Sequence, residues 1–128
     1  MTTNDCIILY VEDDEDIAEL NIRWFDEQGY EMVYARTGAE AIGAFGKVAP
    51  DIVLLDIMLP DTTGFEVCKR MQEIDEDVPV IFLTSLSDSR NAIKGLQSGA
   101  YDYIRKDTDL PEIEMRLKAI LALSLIHI

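Results

Sequence analysis

Sulfur and imidazole are scarce in this chain: 128 residues hold two cysteines, Cys6 and Cys68, and one histidine, His127. With no third or fourth cysteine, neither a disulfide framework nor a zinc site is expected, and both thiols read as buried and reduced. His127 lies near the end of the chain, far from every motif, and is assigned no role. Basic residues are few as well. Eleven lysines and arginines stand against 25 acids, a formal net charge of −14, so the chain lacks the electrostatic footprint of a protein that holds DNA, RNA or acidic lipid. No stretch stays apolar for the ~20 residues that a membrane-spanning helix needs; the apolar tail Ala119–Ile128 has ten residues. The polar start, Met1–Asp5, carries no secretion signal. A cytoplasmic protein without membrane partners is expected. Repeats and low-complexity linkers are missing too, so a chain with 48% apolar content reads as one domain with a proper core.

What the chain does have is acid at the ends of apolar runs. Cys6–Val11 runs straight into Glu12-Asp13-Asp14-Glu15-Asp16, and Asp51–Leu55 into Asp56. Short apolar runs at 6–11, 31–35, 51–55, 79–83 and 101–104 lack strict alternation, as strands covered on both faces do. Helix-period segments lie between them at about 15–28, 38–47, 64–75, 88–98 and 109–123. Thr37 with Glu40 and Thr63 with Glu66 make capping boxes, Asp109 can cap the last helix with Pro111 in its first turn, and Gly29 and Gly99 stand as left-handed stops. Strand-helix alternation predicts an α/β fold, a parallel sheet with helices on both faces. Ligands of such folds bind outside the carboxyl ends of the strands. Glu12 and Asp13 follow the first run, Asp56 the third, Thr84 and Ser85 the fourth, and Lys106 the fifth.

Carboxylates gathered at one edge repel each other unless a cation neutralises them, and hard oxygen ligands of this kind suit magnesium. Asp56 is the candidate nucleophile toward a phosphoryl group, which would give an acyl phosphate. Such transfer needs charge neutralisation more than covalent machinery. Glu12 and Asp13 can hold the metal, Lys106 can offer a point charge, and the Thr84 hydroxyl a hydrogen bond.

These residues resemble the receiver domain of two-component response regulators over roughly residues 5–122. The resemblance rests on a combination: the acidic pair Glu12-Asp13; Asp56 with Met58, Leu59, Pro60 and Gly64 behind it; Thr84-Ser85; and Gly99-Ala100 leading to Tyr103 and Lys106. It implies a flavodoxin-like (βα)5 domain over 1–123, sheet order 2-1-3-4-5, with 124–128 as a tail or the end of the last helix. Asp56 would be the phosphoacceptor, with Mg2+ bound by Asp13, Asp56 and the main-chain carbonyl of Met58, and by Glu12 through water. Thr84 and Tyr103 would be switch residues and Lys106 the phosphate-binding lysine. A phosphohistidine on a sensor histidine kinase or phosphotransfer protein would be the donor. The fourth helix, fifth strand and fifth helix would present the face that controls an output domain or protein partner, or a weak homodimer. Asp102 and Arg116 match one salt-bridge pair of the family's usual dimer, but Ala92 and Ser98 stand where its other basic and acidic partners would be, which speaks against that particular dimer. The domain would catalyse only its own phosphoryl transfer and dephosphorylation. One departure stands out: the family usually has proline after the lysine, and this chain has Asp107. A cis bond before a non-proline residue costs about 3 kcal/mol, so a trans bond is expected.

Three other readings compete. A flavodoxin-like electron carrier needs a glycine- or hydroxyl-rich phosphate cradle after the first strand, where five acids stand instead. A haloacid-dehalogenase-type phosphatase wants a second acid two residues past the nucleophile, and position 58 is methionine. A receiver that serves only as an unphosphorylated docking module is motivated by Asp107 alone. Asp14, Glu15 and Asp16 read as ordinary acids favouring a helix N-terminus.

Overall fold

The alternation of strands and helices is realised as one parallel sheet. The computed structural model describes residues 6–85, 97 and 99–126. In chain order the elements are β1 (Ile7–Val11), α1 (Glu15–Glu27), β2 (Glu31–Ala35), α2 (Gly38–Val48), β3 (Ile52–Asp56), α3 (Gly64–Ile74), β4 (Val80–Thr84), β5 (Asp102–Arg105) and α4 (Leu110–Ile126). The helix expected over 88–98 lies outside the described residues except for Gln97, which is helical, so α4 is the fifth helix expected from the sequence. It runs past the expected end at 123 and takes in part of the segment read as a tail. The strands lie in the order β2-β1-β3-β4-β5.

The central strands β1, β3 and β4 are largely apolar on both faces because both faces are covered. Leu9, Val11, Val53, Leu55, Val80 and Phe82 pack with Ala41 and Phe45 of α2 and Val67 and Met71 of α3. The alternate residues Ile8, Tyr10, Ile52, Leu54, Ile81 and Leu83 pack with Ala18 and Phe25 of α1 and Ile113 and Leu117 of α4. Cys6 and Cys68 belong to opposite faces and are buried and free. Burial, and then the Asp51 carboxylate, push the Cys6 thiol up to about 11, which leaves it protonated and unreactive.

Strand register decides the position of the polar residues. Val11 pairs with Leu55, so Glu12 and Asp56 come out side by side. Asp56 pairs with Leu83 and Thr84 with Arg105, so Thr84 and then Lys106 arrive at the same edge. Three strands sit one residue later than expected, and Asp56 and Thr84 are the last residues of β3 and β4 rather than the first beyond them. The ladder to the next strand continues through each of them.

Local signals account for the helix starts. Thr63 Oγ1 accepts from the Glu66 amide at 3.3 Å and Thr37 Oγ1 from the Glu40 amide at 3.1 Å. The Glu40 carboxylate, however, accepts from the Arg36 amide at 2.8 Å, one residue before the amide a capping box would use. Gly29 and Gly99 adopt φ of 96° and 90°, in keeping with their expected role as left-handed stops.

Candidate functional site

Glu12 and Asp56 are nearly inaccessible, at 1% and 6% exposure, while Asp13 is exposed. Oxygens of these three carboxylates lie within 4.8 Å of one another. Lys106, held at the adjoining edge by a hydrogen bond from its main-chain amide to the Thr84 carbonyl at 2.8 Å, places its ammonium between two of them. Its Nζ donates to Asp56 Oδ2 at 2.8 Å and lies 2.6 Å from Glu12 Oε1. The second contact is an ion pair, so one ammonium is shared between two buried carboxylates.

The electrostatics follow from this crowding. Burial pushes the Glu12 carboxyl up to about 6, and repulsion from Asp56 adds to it, although the Lys106 ammonium opposes both. For Lys106, desolvation is the largest single influence and pulls its pKa down. Hydrogen bonds and charge attraction from Asp56 and Glu12 outweigh it and leave the ammonium above its ordinary value. One ammonium cannot balance three carboxylates. The residual charge and the hard oxygen donors fit a divalent cation such as magnesium.

The loop after β3 is pinned from several sides. The Met58 amide donates to Asp56 Oδ1 at 3.3 Å, and the Gly64 amide to the Ile57 carbonyl at 2.6 Å. A Cβ on Gly64 would run into the Asp56 carbonyl and the Ile57 Cα, main-chain atoms that have nowhere to move. Gly64→Ala is therefore expected to lower stability by about 1–3 kcal/mol in urea unfolding, and a variant as stable as the unaltered chain would contradict this close approach. Asp61 caps α2 from a distance, accepting from the Gly38 and Ala39 amides at 2.8 and 3.0 Å. Those two bonds hold its carboxyl below the ordinary range.

Of the residues singled out in the sequence, Glu12, Asp13, Asp56 and Lys106 come together at one strand edge. Thr84 is buried and reaches the same edge by register. Tyr103 is half-buried in β5, opposite Phe82, and packs on the α2/α3 side of the sheet. The Met58 side chain is 60% exposed beside the cage. No cis peptide occurs among the described residues, so the Lys106–Asp107 bond is trans. Asp107 is exposed, and its carboxylate is 2.7 Å from the Arg105 guanidinium. Two contributors are not apparent from the sequence: Asp61, and Tyr34, whose hydroxyl donates to the Glu12 carbonyl at 2.6 Å. An aromatic with a polar tip at the end of an edge strand is the only sequence signal for the second.

Comparison with known proteins points the same way. The family model described as response regulator receiver domain matches residues 8–118. The transcriptional regulatory protein TrcR of Mycobacterium tuberculosis is 39% identical over 114 residues, 89% of this chain and 44% of that protein. The DNA-binding response regulator MtrA of Mycobacterium leprae is 38% identical over 112 residues, 88% of this chain and 49% of that protein. The chain thus spans about half the length of these relatives. Among solved structures, the BeF3-activated N-terminal receiver domain of RstA from Klebsiella pneumoniae matches with a TM-score of 0.85 and 34% identity, covering 90% of this chain and 97% of that one. A CheY-like receiver domain protein from Methanospirillum hungatei matches with a TM-score of 0.90 and 25% identity, covering 95% and 98%.

Proposed function

Since this chain belongs to the response regulator receiver family, we propose that Asp56 is the carboxylate on which it accepts phosphate. The observation that carries this is the Lys106 ammonium held between Asp56 and Glu12 with Asp13 close by. An Asp56 oxygen bonds to phosphorus as the bond from phosphorus to the donor's imidazole nitrogen breaks. The electron pair leaves with that nitrogen, which then takes up a proton. The donor is a phosphohistidine on a sensor histidine kinase or phosphotransfer protein.

Asp13, Asp56 and the Met58 carbonyl would hold Mg2+, with Glu12 acting through water. When bound, the ion neutralises charge that builds on the phosphoryl oxygens. Lys106 needs only to leave one carboxylate to meet a phosphoryl oxygen, since its ammonium already touches Asp56. Thr84, at the end of the adjoining strand, donates its hydroxyl to the same group, and Tyr103 moves in to fill the space Thr84 vacates. This is a population shift, no larger than the phosphoryl group's preference for one arrangement. The readout is the face made by β5 and α4, together with the helix expected over 88–98, which lies outside the described residues apart from Gln97. Within this chain Arg116 lies 3.7 Å from Asp102 on that face, so this pair is closed inside one chain; the face would be read by an output domain, a protein partner or a weak homodimer. A cytoplasmic protein that catalyses only its own transfer and dephosphorylation fits this scheme, and among the described residues no helix is long and apolar enough to cross a membrane. Asp107, the motive for the docking-only reading, pairs with Arg105 rather than with Lys106, which supports the phosphoacceptor reading.

Acetyl phosphate with Mg2+ should add a single phosphate to the chain by intact mass, and EDTA should prevent it. A chain that stays unmodified under these conditions would count for the docking role instead.

A further inference from the structure

We infer that Tyr34 is a positioning residue for the acidic cage, its hydroxyl fixing the peptide plane that joins Glu12 to Asp13. This rests on the function proposed above. Both polar groups of the Glu12 main chain are tied to β2: its amide donates to the Ala35 carbonyl at 3.1 Å, and its carbonyl accepts from the Tyr34 hydroxyl at 2.6 Å. A peptide unit is planar, so the carbonyl of Glu12 and the nitrogen of Asp13 turn together. The Asp13 carboxylate is exposed, so the main chain that carries it is what limits where its oxygens can reach. Release of the Tyr34 bond frees that plane to rotate and lets the Asp13 oxygen drift out of the 4.8 Å cluster it shares with Glu12 and Asp56. Tyr34 itself is held in place: it pairs in register with Tyr10, the two ring centroids are 6.3 Å apart, and it packs on the buried α1/α4 face.

Tyr10 supplies the control. It is the buried neighbour of Tyr34, but its hydroxyl accepts from the Asn21 amide at 2.8 Å. The measurement is Mn2+ binding by electron paramagnetic resonance on the unphosphorylated chain, beside thermal unfolding in EDTA. Tyr34→Phe is expected to weaken Mn2+ binding about tenfold, the usual effect of losing a group that orients metal ligands. Its phosphorylation by acetyl phosphate should need correspondingly more Mg2+ yet reach the same maximal rate. Tyr10→Phe should lower the melting temperature and leave Mn2+ affinity alone. Equal Mn2+ affinity in Tyr34→Phe and the unaltered chain overturns the inference and leaves the proposed function standing. An equal weakening in Tyr10→Phe overturns it too, since general loosening of the sheet would then be the cause. An unaltered chain that binds no Mn2+ removes both this inference and the metal role it rests on.

Discussion

Asp56→Asn is expected to abolish phosphate uptake while preserving the fold. An amide has the shape of the carboxylate but no charge and no nucleophilic oxygen pair, so the covalent step has no starting point. The change also removes one of the buried negative charges. Asp56 is one of the groups that push the Glu12 carboxyl up, so the variant should hold Glu12 closer to its ordinary value, though still raised, because burial is the larger cause. The result is an inactive chain that is no less stable than the original, and this separates loss of chemistry from loss of structure. Intact mass after acetyl phosphate and Mg2+ gives the first quantity and urea unfolding the second. A phosphate adduct on the asparagine variant would mean that another residue is the acceptor, and the assignment of Asp56 would fall.

Much of this arrangement is legible in particular residues of the sequence. The runs Cys6–Val11 and Asp51–Leu55, both largely apolar and both ending in acid, point to strands covered on both faces and an edge loaded with charge. Lys106 and Thr84 belong to that edge because they too come at strand ends. What stays hidden depends on partners distant in sequence. Tyr34 meets Glu12 only because β2 lies against β1 with Tyr10 opposite Tyr34, a register that no local pattern encodes. Asp61 caps a helix that starts 23 residues before it. One-residue shifts of β3, β4 and β5 arise because strand ends are set by the neighbouring ladder, not by hydrophobicity. From the sequence, Asp107 would be expected to crowd Lys106, and only side-chain geometry reveals that Arg105 takes that carboxylate.

Lys106→Met should be the most destabilising single change at the site, and the loss should depend on pH in a defined sense. The methionine keeps the apolar stem, but Glu12 and Asp56 are then buried carboxylates without their counter-charge. Breaking a buried pair in this way costs about 3 kcal/mol or more. Even with Lys106 present, burial raises Glu12 from 4.5 to about 6. A carboxyl raised on folding stabilises the fold below its unfolded value and loses that contribution as pH rises through the folded one. For the unaltered chain this places the loss between 4.5 and about 6. Removal of the ammonium takes away the one side chain that opposes the rise, so in the variant the window extends upward and the penalty at neutral pH grows. The deficit of Lys106→Met relative to the unaltered chain, measured by urea unfolding in EDTA, should therefore be largest near neutrality and shrink as pH falls toward the ordinary glutamate value. Mg2+ should restore more stability to the variant than to the unaltered chain, because the ammonium no longer competes for the same oxygens and a ligand bound only by the folded state stabilises it. A deficit of the same size in acid and at neutrality would mean that Lys106 matters for packing and not as the counter-charge of the cage.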